Sequence, residues 1–263
     1  MRRICVMAGF LPLIVVANLT SCSSKSPPVS HPSSPRQSSA SSIVVFAAAS
    51  LKPTFTLLAE RFQTDNAGAT IDFDFAGSSD LATQLTQGAA ADVFASADSA
   101  QMDTVAKAGL TVTHPVNFAS NTLVIVTAPG DPKQIRSFAD LAKPGLKVVV
   151  CQQPVPCGAA TQRIEDNTRV HLNPVSEEPA VSDVLTKVTS GEADAGLVYV
   201  TDARHAGNKV TTVKFPESAA AVNVYPIAVL KRAAQRALAQ KFVDLVTGPT
   251  GQTVLNQAGF ARP

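Results

Sequence analysis

The sequence predicts an α/β protein of two lobes, each a mainly parallel sheet flanked by helices. Three observations carry that expectation. Apolar strands alternate with amphipathic helices along the chain, the pattern of right-handed βαβ crossovers. One strand–helix series begins at Ile43 and a second after about Ala119. Once the N-terminal segments are set aside, roughly 220 residues remain, enough for two modest cores.

The N-terminus reads as an export signal. Met1-Arg2-Arg3 precedes an apolar run to about Ala17, and Leu19-Thr20-Ser21-Cys22 ends it, a charged region, a hydrophobic region and a small-residue cleavage site. The last four residues resemble a bacterial lipobox, which makes residues 1–21 a lipoprotein signal peptide and Cys22 a lipid-bearing mature N-terminus; a plain signal peptide with an incidental Cys22 is the alternative. The apolar run is too short to be a lasting membrane span. Residues 22–42, rich in Ser and Pro with little to bury, form a disordered tether. Removing Arg2 and Arg3 takes 22 basic residues to 20, against 20 acidic ones, so the mature chain is formally neutral. With no basic run and few aromatics, nucleic acid is excluded as a partner.

Taken in order, Val44–Ala49 is an apolar strand that runs into Ser50-Leu51-Lys52-Pro53 and a helix over Thr54–Phe62. Ala69–Ala76 alternates as a strand and ends at Gly77-Ser78-Ser79-Asp80 before a helical Leu81–Leu85. Ala91–Ser96 is a buried strand, and a helix follows from Ser99 to Lys107. The second series opens with the strand Asn121–Ala128 and a Ser137-led helix over Phe138–Leu141. Next come the strand Lys147–Cys151, a Pro-rich loop and a helix around Ala159–Ile164. A helix from about Glu178 ends near Gly191, and Ala195–Val200 is a strand buried on both faces, with Tyr199 near its end. Val222–Leu230 is extended, and two helices, about Arg232–Val246 and Pro249–Ala258, close the chain.

The chemistry lies in a repeated junction. Ala49-Ser50, Gly77-Ser78-Ser79, Pro156-Cys157-Gly158 and Pro179-Ala180-Val181 each precede a helix, where backbone N–H groups lack helical partners and the dipole is positive. Ser50 taken alone reads first as an ordinary helix cap. Four such clusters suit a small oxyanion held by neutral donors. A serine hydrolase built on Ser50 or Ser78 lacks support: there is no G-x-S-x-G elbow, and no motif ties His114, His171 or His205 to a serine. Zinc and calcium patterns are missing from the sequence. Cys151 and Cys157 remain as a possible disulfide, their C-x5-C spacing being wrong for a redox C-x-x-C.

Val45-Phe46-Ala47-Ala48-Ala49-Ser50-Leu51, Phe75-Ala76-Gly77-Ser78-Ser79, Ala91-Asp92-Val93-Phe94-Ala95-Ser96-Ala97-Asp98 and Gly196-Leu197-Val198-Tyr199, in that order, resemble the molybdate-binding components of bacterial ABC importers. The resemblance runs from Ile43 to Phe260. It implies a periplasmic-binding-protein fold with a hinge of crossing strands, residues 43–119 plus 226–263 in lobe 1 and 120–225 in lobe 2. It implies a monomeric, non-catalytic receptor for molybdate or tungstate, without a cofactor, serving a membrane permease and ATPase from the outer face of the cell membrane. By the family pattern Ser50 and Ser78 supply hydroxyl and backbone donors, Cys157 and Val181 backbone N–H groups, and Tyr199 its phenol. Relatives commonly carry alanine where Cys157 stands. Asp80 departs in a second way, since a carboxylate facing the site would favour a protonated anion such as phosphate; it is expected to point away as a first-turn helix charge. Receptors for sulfate or phosphate are the alternatives on the same fold.

Overall fold

A computed structural model describes residues 41–263 of the chain. The signal peptide, the Cys22 lipid site and all but the last two residues of the expected tether lie outside the described residues. Those two, Ser41 and Ser42, are the start of the first strand rather than tether, because they pair with Ala69 and Thr70.

Lobe 1 is built from β1 (Ser41–Ala48), α1 (Lys52–Asp65), β2 (Ala69–Ala76), α2 (Ser78–Thr86), β3 (Val93–Ala95), α3 (Ser99–Lys107) and β4 (Val116–Asn121). Lobe 2 follows with β5 (Leu123–Thr127), β6 (Val148–Cys151), α4 (Pro156–Thr168), β7 (Ser176–Glu178), α5 (Val181–Thr189), β8 (Ala195–Tyr199), α6 (Val200–Ala206) and β9 (Thr211–Val213). The chain then returns to lobe 1 through β10 (Asn223–Val229), α7 (Arg236–Thr247) and α8 (Pro249–Ala258).

Each lobe holds one five-stranded mixed sheet, in the order β2-β1-β3-β10-β4 and β7-β6-β8-β5-β9. The parallel pairs are those made by strand–helix–strand crossovers, β1 with β2 and β3, β6 with β7 and β8. The antiparallel pairs come from strands next to the lobe crossings: β10 lies against β3 and β4, and β5 against β8 and β9. The crossings fall at Thr122 and just ahead of Asn223, so β4 and β10 belong whole to the first sheet.

Burial on both faces explains why the strands read as apolar runs. One face of the first sheet packs Phe55, Phe62, Phe118, Tyr225 and Phe242 against α1 and the C-terminal helices, with Phe242 edge-on to Phe55 and to Phe62 at 5.6 Å. Phe46, Leu81, Phe94 and Met102 fill the other face. In lobe 2, Ile125, Val149, Leu197 and Val184 form a second core, in which Phe138 stacks on Phe215 at 5.5 Å. No helix among the described residues is long and apolar enough to cross a membrane.

Candidate functional site

Four helix starts meet where the lobes face each other. From lobe 1 come the single 3-10 turn Ala49–Leu51, which carries Ser50, and α2, which begins at Ser78. Lobe 2 contributes α4, with Pro156 and Cys157 in its first turn, and α5, which begins at Val181. The residues preceding them are Ala48, Gly77, Val155 and Ala180, and none of the four starts has a side-chain cap. Asp, Ser or Thr in those places would turn its own oxygen onto the leading N–H groups; Ala, Gly and Val leave them free. By contrast α3 is capped, Asp98 Oδ1 accepting from Gln101 N at 2.9 Å.

These turns line a small cavity of about 10 Å³. Ser50, Ser78, Cys157, Val181 and Tyr199 all line it, so the structure brings together every residue expected of the site from sequence. The rest of the wall is small, Ala48, Ala49, Ala76, Gly77 and Ala97, closed by Val155 and Pro156. No ionisable carboxylate, amine, guanidinium or imidazole is part of the lining. Asp80 is exposed in the first turn of α2, outside the cavity. A larger hollow beside α8 takes all its walls from the C-terminal part of lobe 1 and gathers no donors from both lobes.

Hydrogen bonds fix the direction in which the hydroxyls can donate. Ala97 N–H donates to Ser78 Oγ at 3.0 Å, which leaves the serine proton for another acceptor. Asn223 Nδ2 donates to the Tyr199 hydroxyl at 2.8 Å, and Tyr199 is 1% exposed. Ser50 Oγ lies 3.1 Å from the Tyr225 hydroxyl. Burial pushes both tyrosine pKa values up, so both phenols stay protonated and Tyr225 can donate to Ser50. Neither serine is bonded to a histidine or a carboxylate, the arrangement a hydrolase requires.

Contacts between the lobes surround the cavity. A Cβ built on Gly77 would lie 2.2 Å from the Pro179 carbonyl oxygen, so only glycine allows this approach of lobe 1 to lobe 2. Gln101 Nε2 donates across the gap to Pro154 O at 3.1 Å. Asn223, at the start of β10, donates to Ala97 O at 2.8 Å and to Pro156 O at 3.2 Å, and accepts from Arg163 at 2.7 Å. Cys151 and Cys157 are joined in a disulfide, with Cα atoms 5.6 Å apart. Beneath Tyr199, Asp202 Oδ2 accepts from the Tyr199 N–H at 3.1 Å, and burial pushes the Asp202 carboxyl up to about 7 despite that bond.

Residues 43–261 match the family model described as "Bacterial extracellular solute-binding protein". The chain belongs to the bacterial extracellular solute-binding protein family. Within it, this solute-binding protein is 62% identical over 263 residues, all of both chains, to the molybdate-binding protein ModA of Mycobacterium tuberculosis. The same fold is seen in the periplasmic molybdate-binding protein of Azotobacter vinelandii, with TM-score 0.72 and 22% identity, covering 84% of this chain and 99% of that one. The sulfate-binding protein SubI of M. tuberculosis shares it too, with TM-score 0.71 and 21% identity, covering 84% and 87%. The matched relatives are binding proteins, in keeping with two serines that have no base. Sequence reasoning missed Asn223, Gln101 and the Tyr225 bond to Ser50. A lone asparagine ahead of a strand carries no motif, and Gln101 looks like any polar helix residue.

Proposed function

We propose that this solute-binding protein is an extracytoplasmic receptor that closes on molybdate or tungstate and delivers it to the permease and ATPase of an ABC importer. Lipid on Cys22 holds it to the outer face of the cell membrane, and it works as a monomer. In this reading Ser50 and Ser78 give hydroxyl and backbone donors, Cys157 and Val181 give N–H groups, and Tyr199 gives its phenol proton.

One observation carries the reading: a cavity between the lobes gathers donors, from four uncapped helix starts and from the Ser78 and Tyr199 hydroxyls, each of which already accepts one bond and keeps its proton to give. A fully ionised tetrahedral oxyanion accepts at every oxygen and needs no acceptor in return. Phosphate keeps a proton at neutral pH, and no carboxylate in the lining receives it. The near-dry setting strengthens each charge-assisted bond, worth about 1.5–3 kcal/mol. Full-length similarity to a molybdate-binding protein supports molybdate among the ionised anions.

Sulfate is the second reading, favoured by the same donor-rich wall and by the fold shared with SubI. Calorimetric titration with molybdate, tungstate, sulfate and phosphate separates them. Tight binding of molybdate and tungstate with weak sulfate and no phosphate is expected; sulfate or phosphate binding without a molybdate response overturns the assignment.

A further inference from the structure

The loop between β6 and α4 has more to do than present one N–H group. Its ends are Cys151 and Cys157, tied by the disulfide. Within that ring, Pro154 O accepts from Gln101 of lobe 1, and Pro156 O accepts from Asn223 at the lobe crossing. Val155 between them is 2% exposed, and its Cγ1 lies 3.5 Å from where a Gly77 Cβ would stand. The ring therefore meets lobe 1 at two points and the crossing strand at a third, while Cys157 at its end lines the cavity.

We infer that the disulfide-closed loop Cys151–Cys157 is the clasp that holds the lobes shut, with Gln101 as its latch, and that it sets how long the bound anion stays. The inference rests on the molybdate reading above. An untied loop of this length must be ordered each time the lobes close, which opposes closure; a tied one meets Gln101, Gly77 and Asn223 already shaped. Anion enters the open form, where these contacts are broken, so the clasp acts on release rather than on entry. Gln101 and the two cysteine side chains are positioning residues, acting through the place they give to the Cys157 N–H.

The test is stopped-flow tyrosine fluorescence on the whole protein with molybdate, comparing the parent with C151A/C157A, Q101E and Q101R. Gln101→Glu sets a carboxylate against Pro154 O, whereas Gln101→Arg keeps a donor there. Release should quicken about tenfold in C151A/C157A and Q101E, association should stay within about twofold, and Q101R should behave as the parent. A purely structural disulfide would lower the melting temperature without this split, and parental release rates in both variants overturn the clasp. If C151A/C157A does not fold, Q101E against Q101R decides. If the parent binds no molybdate, the ligand reading fails. The clasp is then judged by hydrogen exchange over residues 154–160, which quickens in Q101E but not Q101R if it is right, and is unchanged in both if it is wrong.

Discussion

Asn223 Nδ2 donates to the Tyr199 hydroxyl at 2.8 Å, which leaves the phenol proton for another acceptor. With two hydrogens for three acceptors, the same amide also reaches Ala97 O at 2.8 Å and, more weakly, Pro156 O at 3.2 Å, one from each side of the cleft. Asn223→Ala should weaken molybdate binding about tenfold, by the loss of one oriented charge-assisted bond. Asn223→Asp should weaken it further, because a carboxylate there faces two carbonyl oxygens and, beyond Tyr199, the anion. Equal affinities for the parent and both variants, measured by calorimetry, would contradict the role given to Asn223.

Gly77 stands where lobe 1 packs against the Pro179 carbonyl of lobe 2, with φ −60°, so its backbone is one that any residue adopts and the constraint is purely steric. Gly77→Ala puts a methyl group 2.2 Å from Pro179 O in the closed form. Small-angle scattering should show this variant extended with or without molybdate, with affinity reduced about a hundredfold, equivalent to about 2.8 kcal/mol. Its unliganded melting temperature should match the parent's.

Ser78 and Asp80 stand two residues apart with opposite expected effects. Ser78→Ala removes a donor from the cavity and strands the buried Ala97 N–H, so affinity should fall about 10- to 100-fold. Asp80→Asn alters only an exposed first-turn charge and should leave affinity within about twofold. A reversed order in titrations of the two variants would mean that Asp80 faces the ligand.

Asp202 is buried beneath Tyr199 with its carboxyl raised from 3.8 to about 7, chiefly by desolvation. Between those values the folded chain holds a proton that the unfolded chain has released. Asp202 therefore contributes stability below pH 3.8 that is lost progressively as pH rises to about 7. Asp202→Asn keeps a neutral side chain at every pH. The melting temperature of the parent minus that of the variant should fall from pH 4 to pH 7 and level off above; a difference independent of pH would mean that the carboxyl ionises normally.

The parts of the site that were legible in the sequence are those made by local chemistry. A strand ending in Ala-Ser, Gly-Ser or Pro-Cys ahead of a helix exposes N–H groups whatever the rest of the chain does, and Ser50, Ser78, Cys157 and Val181 all sit at such junctions around one cavity. What closes the site was not legible, because it depends on pairs brought together from far apart: Asn223 to Ala97 across 126 positions, Gln101 to Pro154 across 53. Short elements escaped for a different reason. β7 is three residues of Ser-Glu-Glu on a sheet edge, β4 mixes polar and apolar residues without alternation, and α6 follows Tyr199 with no break to announce it. The extended Ser41 and Ser42 read as tether because their strand character comes from pairing with β2.

Diffraction from crystals grown with molybdate, using the anomalous signal of molybdenum, tests the site most directly. The expected result is one peak between Ser50 and Ser78 on one side and Cys157, Val181 and Tyr199 on the other, within hydrogen-bond reach of donors from both lobes. A peak elsewhere, or an empty cavity in a protein saturated with molybdate, would contradict it.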